Sequence, residues 1–449
     1  MKKLLALLLA LVMVVGLVAC GGSEGNSNGD SDVKEAPADT PVAECGTVTV
    51  SFDGNTSNLD KSVKVGVILV GDENEGYTFA HIDGIRKAAA TLGLPESNIV
   101  WFYNIPESEE CYDKCIECVE QGCDLVITNS YGHQSYAQQA AEETPNVHFV
   151  SMTGDTALAS GLDNFSNAFN ATYQSRFVSG VVAGMKVAEL DAAGKIPAAG
   201  YDADGNVKIG YVGAYPYAEV VSGYTGFYLG IKSVFEKVVM DVQYTNSWFN
   251  IQDEGKAAEA LMARGCVIIG QHADSTGAPK AVQTAKDNGS VVYSIGYNID
   301  MLKAAPTAAL TSSTNDWSVF YTYAFAQLMR GEKIATNWTA GYPDGAVAIT
   351  ALGPEVAAGT AEKVAEVQAK IESGELDVFD TDTFTISKCK DGSYASDENG
   401  HVTVACAVDT DGDFVGDTAN VIIDGCYRES YTQSAPSFTL RIDGITELN

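Results

Sequence analysis

The sequence predicts an α/β fold of two lobes, each a mostly parallel sheet with helices on both faces, and a cleft between the lobes. Three observations predict it. From Lys64 onward, short apolar runs without polar alternation each lead into a helical pattern, as strands buried on both faces do. This series occurs twice, separated by the Gly-, Pro- and Asp-rich stretch 194–206. Once the N-terminal segments are set aside, roughly 400 residues remain, more than one ordinary core holds.

In the first series the strand 65–70 leads to a helix over about 79–92 and a strand near 99–102. A helix over 107–121, a strand at 123–128, a helix over 135–143 and a strand at 147–152 follow. A helix over about 173–190 completes a first lobe spanning 63–190. The second lobe, 207–311, takes strands at 209–212, 239–244, 267–270 and 291–295, with helices over about 219–234, 253–264 and 277–288. A strand at 308–311 and a helix over 316–331 begin return segments, about 312–335 to the first lobe and about 340–372 to the second. Residues 374–449 differ in composition, rich in Thr, Val, Asp and Gly, with alternation near 401–408 and 437–442. They read as a small C-terminal β-rich addition packed on the second lobe.

The N-terminus carries targeting information. Lys2 and Lys3 precede the apolar run Leu4 to Val18, which is short for a bilayer span and matches a signal-peptide core. It ends in Leu17-Val18-Ala19-Cys20-Gly21, which resembles the lipobox of bacterial lipoproteins. That resemblance implies cleavage of residues 1–19 and acylation of Cys20. Residues 20–48 read as a flexible tether, since the Gly-, Ser-, Asn- and Asp-rich stretch after Cys20 lacks the apolar surface to fold. The expected location is the extracytoplasmic face of the cell membrane, held there by lipid.

A net charge of −32 argues against nucleic acid as a partner. Ten cysteines less the lipidated one leave an odd number, so they cannot all pair within the chain. Cys111, Cys115 and Cys118 fall on one helical face and read as a core-facing stripe rather than metal ligands. Cys389, Cys406 and Cys426 lie in the β-rich tail, where a disulfide is plausible outside the cell. The run Asp409-Thr410-Asp411-Gly412-Asp413 resembles a calcium loop, but Phe414 and Asn420 stand where glycine and glutamate belong. An acidic turn is the default reading, and no metal or cofactor is expected. No nucleophile–base pair, phosphate loop or metalloprotease motif is present, so the chain does not read as an enzyme.

In open α/β sheets, ligands sit beyond the carboxyl ends of the strands. Nearly every such loop here holds an aromatic ring beside Asn, Asp or Ser. Flat rings sandwich a flat heterocycle, and carboxylates accept from its N–H edges. The candidate ligand-binding residues are Tyr77, Phe79, Ser130, Tyr131, Tyr217, Trp248, Asp274, Tyr297, Asp300 and Trp317.

The runs Gly76-Tyr77-Thr78-Phe79-Ala80-His81, Gln271-His272-Ala273-Asp274-Ser275, Ile295-Gly296-Tyr297-Asn298-Ile299-Asp300 and Leu310-Thr311-Ser312-Ser313 resemble, in this order, motifs of the basic membrane protein family. These are substrate-binding lipoproteins of ABC transporters, and the resemblance covers about residues 63–352. It implies a type I periplasmic-binding-protein fold, with two Rossmann-like lobes joined by three crossing segments. It also implies a purine base or purine nucleoside as ligand and an ABC permease as partner. By the same resemblance Tyr77 stacks on the base and Asp300 holds the ribose, while Asp274 and Trp248 match a subgroup that takes a free base. The family's nucleoside pattern has a lysine after Leu-Thr-Ser, where this chain has Asn315-Asp316-Trp317. That departure favours a base or another small solute. Other readings are a sugar or signal-molecule receptor of the same fold, a receptor feeding a sensor kinase, and a surface interaction lipoprotein.

Overall fold

A computed structural model describes residues 42–389, 392–396, 402–408 and 417–449. The lipobox, most of the tether and the acidic loop 409–416 lie outside the described residues.

The first lobe is built from β1 (Val65–Ile68), α1 (Gly76–Leu92), β2 (Ile99–Phe102), α2 (Glu109–Glu120), β3 (Leu125–Thr128), α3 (Gln134–Glu143), β4 (His148–Met152), α4 (Ala157–Ser160) and β5 (Phe165–Asn170). The second takes α5 (Thr172–Ala192), β6 (Val207–Gly213), α6 (Ala218–Lys232), β7 (Val238–Tyr244), α7 (Ile251–Ala263), β8 (Ile268–Gln271), α8 (Gly277–Asp287), β9 (Tyr293–Tyr297) and β10 (Ala309–Asn315). The chain then returns to the first lobe with α9 (Ser318–Arg330) and β11 (Asn337–Ala340), and to the second with β12 (Val347–Ile349) and α10 (Thr360–Glu372).

The first sheet runs β11-β5-β4-β3-β1-β2 and is parallel throughout. Its strands are buried on both faces: α1 and α9 cover one side through Ile82, Ile85, Phe320 and Phe325, while α2 and α3 cover the other through Cys115, Cys118 and Ala137. The cysteine stripe is therefore core, as its helical spacing predicts; Cys111, Cys115 and Cys118 are fully buried. The strand β5 was not foreseen. Its sequence, Phe-Ser-Asn-Ala-Phe-Asn, is half polar yet wholly buried. Asn167 makes this tolerable by donating to Ser151 O (2.9 Å) and accepting from Ala157 N (2.7 Å), so its amide is satisfied in place of water.

The second sheet runs β12-β10-β9-β8-β6-β7 and ends in a C-terminal strand, β20 (Ile445–Glu447); only β12 is antiparallel to its neighbour. Here α5 packs on α6 and belongs to the second lobe's core through Phe177, Val181 and Val187, although sequence alone placed it in the first. Glycine decides this: a Cβ at Gly180 would strike Phe227 O, and one at Gly230 would strike Phe177 O. The two helix backbones touch, which bulkier residues forbid. The first return segment likewise begins after β10, at Asp316, rather than at 312.

Three crossings join the lobes: β5 to α5, β10 to α9, and β11 to β12. The C-terminal region adds β13 (Ile386–Cys389), β14 (Gly392–Ser396), β15 (Val402–Val408), β16 (Asp417–Asn420), β17 (Ile422–Ile423), β18 (Cys426–Tyr427) and β19 (Leu440–Ile442). It is β-rich as expected, but β20 also pairs in parallel with β7 and lengthens the second lobe's sheet. The tail reaches the first lobe too: Ser434 Oγ donates to Gly154 O (3.3 Å), and Ser434 N donates to Asn337 Oδ1 (3.3 Å). Residues 42–48, expected within the tether, are pinned to the body. Ala43 is buried, Gly46 N donates to Tyr431 O (2.8 Å), and Val48 bridges to Trp338. Cys426 is a free, buried thiol; the side chains of Cys389 and Cys406 lie outside the described residues. Among the described residues no helix is long and apolar enough to cross a membrane.

Candidate functional site

In each sheet the strand order reverses at one point, beside β1 in the first lobe and beside β6 in the second. Connections leave on opposite faces there and open a crevice at the carboxyl ends. Loops at both points line one cavity of about 480 Å³ between the lobes, a volume in the range of small-molecule sites.

The first lobe supplies Tyr77, Ser130, Tyr131, Phe169 and Trp317 among others, and the second supplies Glu219, Trp248, His272, Asp274 and Tyr297. Tyr77 is set by the start of α1. Glu75 caps that helix, accepting from Tyr77 N (3.0 Å) and Thr78 N (2.9 Å), and so draws Gly76 to Thr78 into the first turn rather than leaving them in a loop. The Tyr77 hydroxyl donates to Asn129 O, and its ring packs edge-on against His81, centroids 4.5 Å apart. His81 in turn stacks on Trp317 at 4.5 Å. Burial pushes the His81 pKa down to about 3, so this ring is neutral support. Ser130 Oγ donates to Glu107 Oε1 (2.5 Å), and Tyr131 Oη donates to Asp155 Oδ2 (3.0 Å).

Behind the opposite wall, outside the lining itself, the Arg176 guanidinium lies 3.6 Å from the centroid of the Tyr297 ring. It is almost fully buried and donates through Nη1 to Gln271 O (2.5 Å). Asp274 accepts from Asn298 Nδ2 (2.6 Å). Burial, reinforced by Glu75, Glu254 and Glu219, raises the Asp274 pKa well above the usual carboxylate range. Burial also raises Glu75, and pushes Glu219 up to about 7. His272 is held neutral by burial and by Arg176. The lining holds Asp72, Glu75, Glu107, Glu219 and Asp274, and no lysine or arginine among the described residues. Such a site repels anions and rewards N–H donors. Thr153, also in the lining, has φ +62°; a β-branched residue in that region is strained, as residues at binding sites often are.

Of the ten sequence candidates, Tyr77, Ser130, Tyr131, Trp248, Asp274, Tyr297 and Trp317 line the cavity and three do not. Phe79 is half-exposed: two residues on along a helix is about 200° of rotation, so it points away from Tyr77. Tyr217 is exposed at the mouth, stacked on Tyr215 at 5.0 Å and 6.3 Å from Tyr131 of the other lobe. Asp300 is exposed and caps the turn Met301–Lys303 by accepting from Leu302 N (2.8 Å). Lining residues missing from the candidate set include Glu75, Glu107, Phe169, Glu219 and His272. Glu75 and His272 sit in loops already singled out. Glu107 and Glu219 read as helix starts, and Phe169 lies on the unforeseen β5.

Two mostly parallel-sheet lobes that share a small-molecule cavity are the architecture of solute-binding proteins. The family model described as ABC transporter substrate-binding protein PnrA-like (Bmp) matches residues 62–382, and the chain belongs to that family. Its members bind a substrate for an ABC permease and do not convert it. The chain is 31% identical over 337 residues to a purine-binding protein of Brucella abortus, covering 74% of this chain and 87% of that one. It is 24% identical over 279 residues to basic membrane protein A of Borreliella burgdorferi, covering 60% and 73%. A third relative, from Haloferax volcanii, is provisionally named an ABC transporter glucose-binding protein and is 27% identical over 328 residues, covering 73% and 76%. Among solved structures, solute-binding proteins of ABC transporter systems from Aeropyrum pernix (TM-score 0.58, 16% identity, covering 71% and 93%) and Conexibacter woesei (TM-score 0.55, 19% identity, covering 70% and 98%) share the fold.

Proposed function

We propose that this chain is a lipid-anchored receptor that captures a free purine base and delivers it to an ABC permease. One observation carries the reading: rings from both lobes surround five carboxylates with no cation among the described lining residues. A purine is flat, polarisable and edged with N–H donors, so it answers both features, whereas the phosphate of a nucleotide is repelled by the carboxylates. The similarity to a purine-binding protein supports the same class. Tyr77 and Trp317 from one lobe and Trp248 and Tyr297 from the other are the stacking surfaces. Asp274 and Glu219 accept from the ring edge. The cavity has room for a ribose, so size does not choose between base and nucleoside, and two chemical features favour the base. Asp300, the expected ribose carboxylate, is spent on a turn, and Trp317 lies in the segment where the nucleoside pattern has a lysine.

Ligand entry precedes hinge closure about the three crossings, which excludes water and strengthens the edge hydrogen bonds. The deciding test is calorimetric titration and thermal shift with adenine, guanine, hypoxanthine, their nucleosides and glucose. Binding to the native state raises the melting temperature by mass action. A rise larger with a base than with its nucleoside is the expected result. A rise with glucose alone, or with none of these, overturns the purine reading. Anchoring through Cys20 is tested separately: Cys20→Ala should release the protein from the membrane fraction.

A further inference from the structure

The C-terminus of α2 ends in a tight reverse turn. Gly122 takes φ +78°, Gly122 N donates to Val119 O (2.9 Å), and Cys123 N donates back to Cys118 O (3.0 Å). This pair of bonds is the Schellman arrangement, which brings the two residues flanking the turn, here Cys118 and Cys123, side by side. Both sulfurs pack over the same point of β1. A Cβ at Gly66 would collide with Cys118 Sγ and lie 3.4 Å from Cys123 Sγ. Both thiols are buried, and each is the largest influence on the other's ionisation. A backbone bond from residue i+5 to i holds the Cα atoms within about the 4.4–6.8 Å that a disulfide needs.

We propose that Cys118 and Cys123 form a reversible disulfide that staples the end of α2 to the start of β3. The reactants are the two thiols and a small-molecule disulfide oxidant. Cys123 is the attacking sulfur. Contact with the Cys118 thiol does most to lower its pKa and so to favour the thiolate, and Lys64 adds to the effect. Its thiolate displaces one thiol from the oxidant and forms a mixed disulfide; Cys118 then displaces the second. Two protons and two electrons leave the protein, and the oxidant becomes two thiols. A family member working outside the cytoplasm meets such oxidants. Cys111 and Cys115 also touch, one turn apart within α2, but i,i+4 helical spacing leaves their Cβ atoms about 5–6 Å apart, beyond the roughly 3.5–4.5 Å that a disulfide needs.

The test is to incubate the protein with glutathione disulfide, block free thiols with iodoacetamide, and digest with a glutamate-specific protease. Cleavage after Glu120 separates Cys118 from Cys123, so only a disulfide can keep their peptides joined. The expected result is a joined pair of peptides, 118–120 with 121–142, that separates on adding dithiothreitol. The oxidised protein should also melt a few degrees higher than the reduced one. Cys118→Ser and Cys123→Ser should each abolish the joined peptide, and Cys111→Ser should retain it. Carbamidomethylated Cys118 and Cys123 after oxidation, or a join to Cys115 instead, would overturn the proposal. Should either serine variant fold poorly, the wild-type peptide map decides alone.

Discussion

At the residue scale the cleft is a set of neutral rings around carboxylates, of which burial makes Glu75, Glu219 and Asp274 reluctant to ionise. Tyr77 illustrates the coupling: its hydroxyl is tied to Asn129 and its ring is backed by His81, so the stacking face is presented without rotamer freedom. Tyr77→Ala should weaken ligand binding by one to two orders of magnitude, about the loss of a large aromatic contact, with calorimetry as the measure. Glu219 makes a sharper prediction. Its pKa in the empty site is about 7, and an N–H donor is accepted best by the ionised carboxylate. Affinity should therefore rise about tenfold from pH 6 to pH 8, and Glu219→Gln should flatten that dependence. A pH-independent wild-type affinity would remove Glu219 from the recognition of the ligand.

At the element scale, backbone contacts between helices place the site. The close approach of α5 and α6 through Gly180 and Gly230 fixes where α6 begins, and hence where Glu219 enters the cavity. Gly230→Ala should cost about 1–3 kcal/mol, the range for overpacking, in chemical denaturation. The cap of α1 acts in the same way. Glu75→Ala removes the acceptor for two backbone N–H groups and should lower stability by about 1 kcal/mol. It should also weaken binding, because Tyr77 loses its fixed first turn.

At the scale of the whole molecule, stability and pH are linked through buried acids. Glu219 and Glu254 are raised to about 7 and Glu429 to about 8 by burial. Between their ordinary values near 4.5 and these raised values the native state keeps protons that the unfolded chain has lost. Their contribution is fully present below pH 4.5 and is lost as pH rises through the raised values. The ligand-free protein should melt lower at pH 8.5 than at pH 5.5. The C-terminal extension is also structural. Its Tyr427, Phe438, Leu440 and Ile442 are buried in the second lobe's core, Ser434 reaches the first lobe, and β20 covers the edge of β7. Ending the chain after Asp382 should destabilise the fold by about 6 kcal/mol or more, the transfer cost of those four side chains.

Much of this was legible in the residues themselves. Unbroken apolar runs such as Val65 to Val70 report burial on both faces, and helical spacing reports the cysteine stripe, because both depend on local periodicity. The alternation of strand and helix predicts a cleft at the strand ends, and seven of ten candidates line it. What the sequence could not reveal depends on contacts between distant segments. The strand β5 is half polar and owes its burial to partners such as Ser151 and Ala157. The lobe that α5 joins is set by glycine contacts with α6. Which face of a turn a residue occupies separates Tyr77 from Phe79 and removes Asp300 from the cleft. Local pattern determines which segments form and which residues gather at their ends. Only tertiary packing decides which of those residues meet across the cleft, because that depends on distances between atoms far apart in the chain.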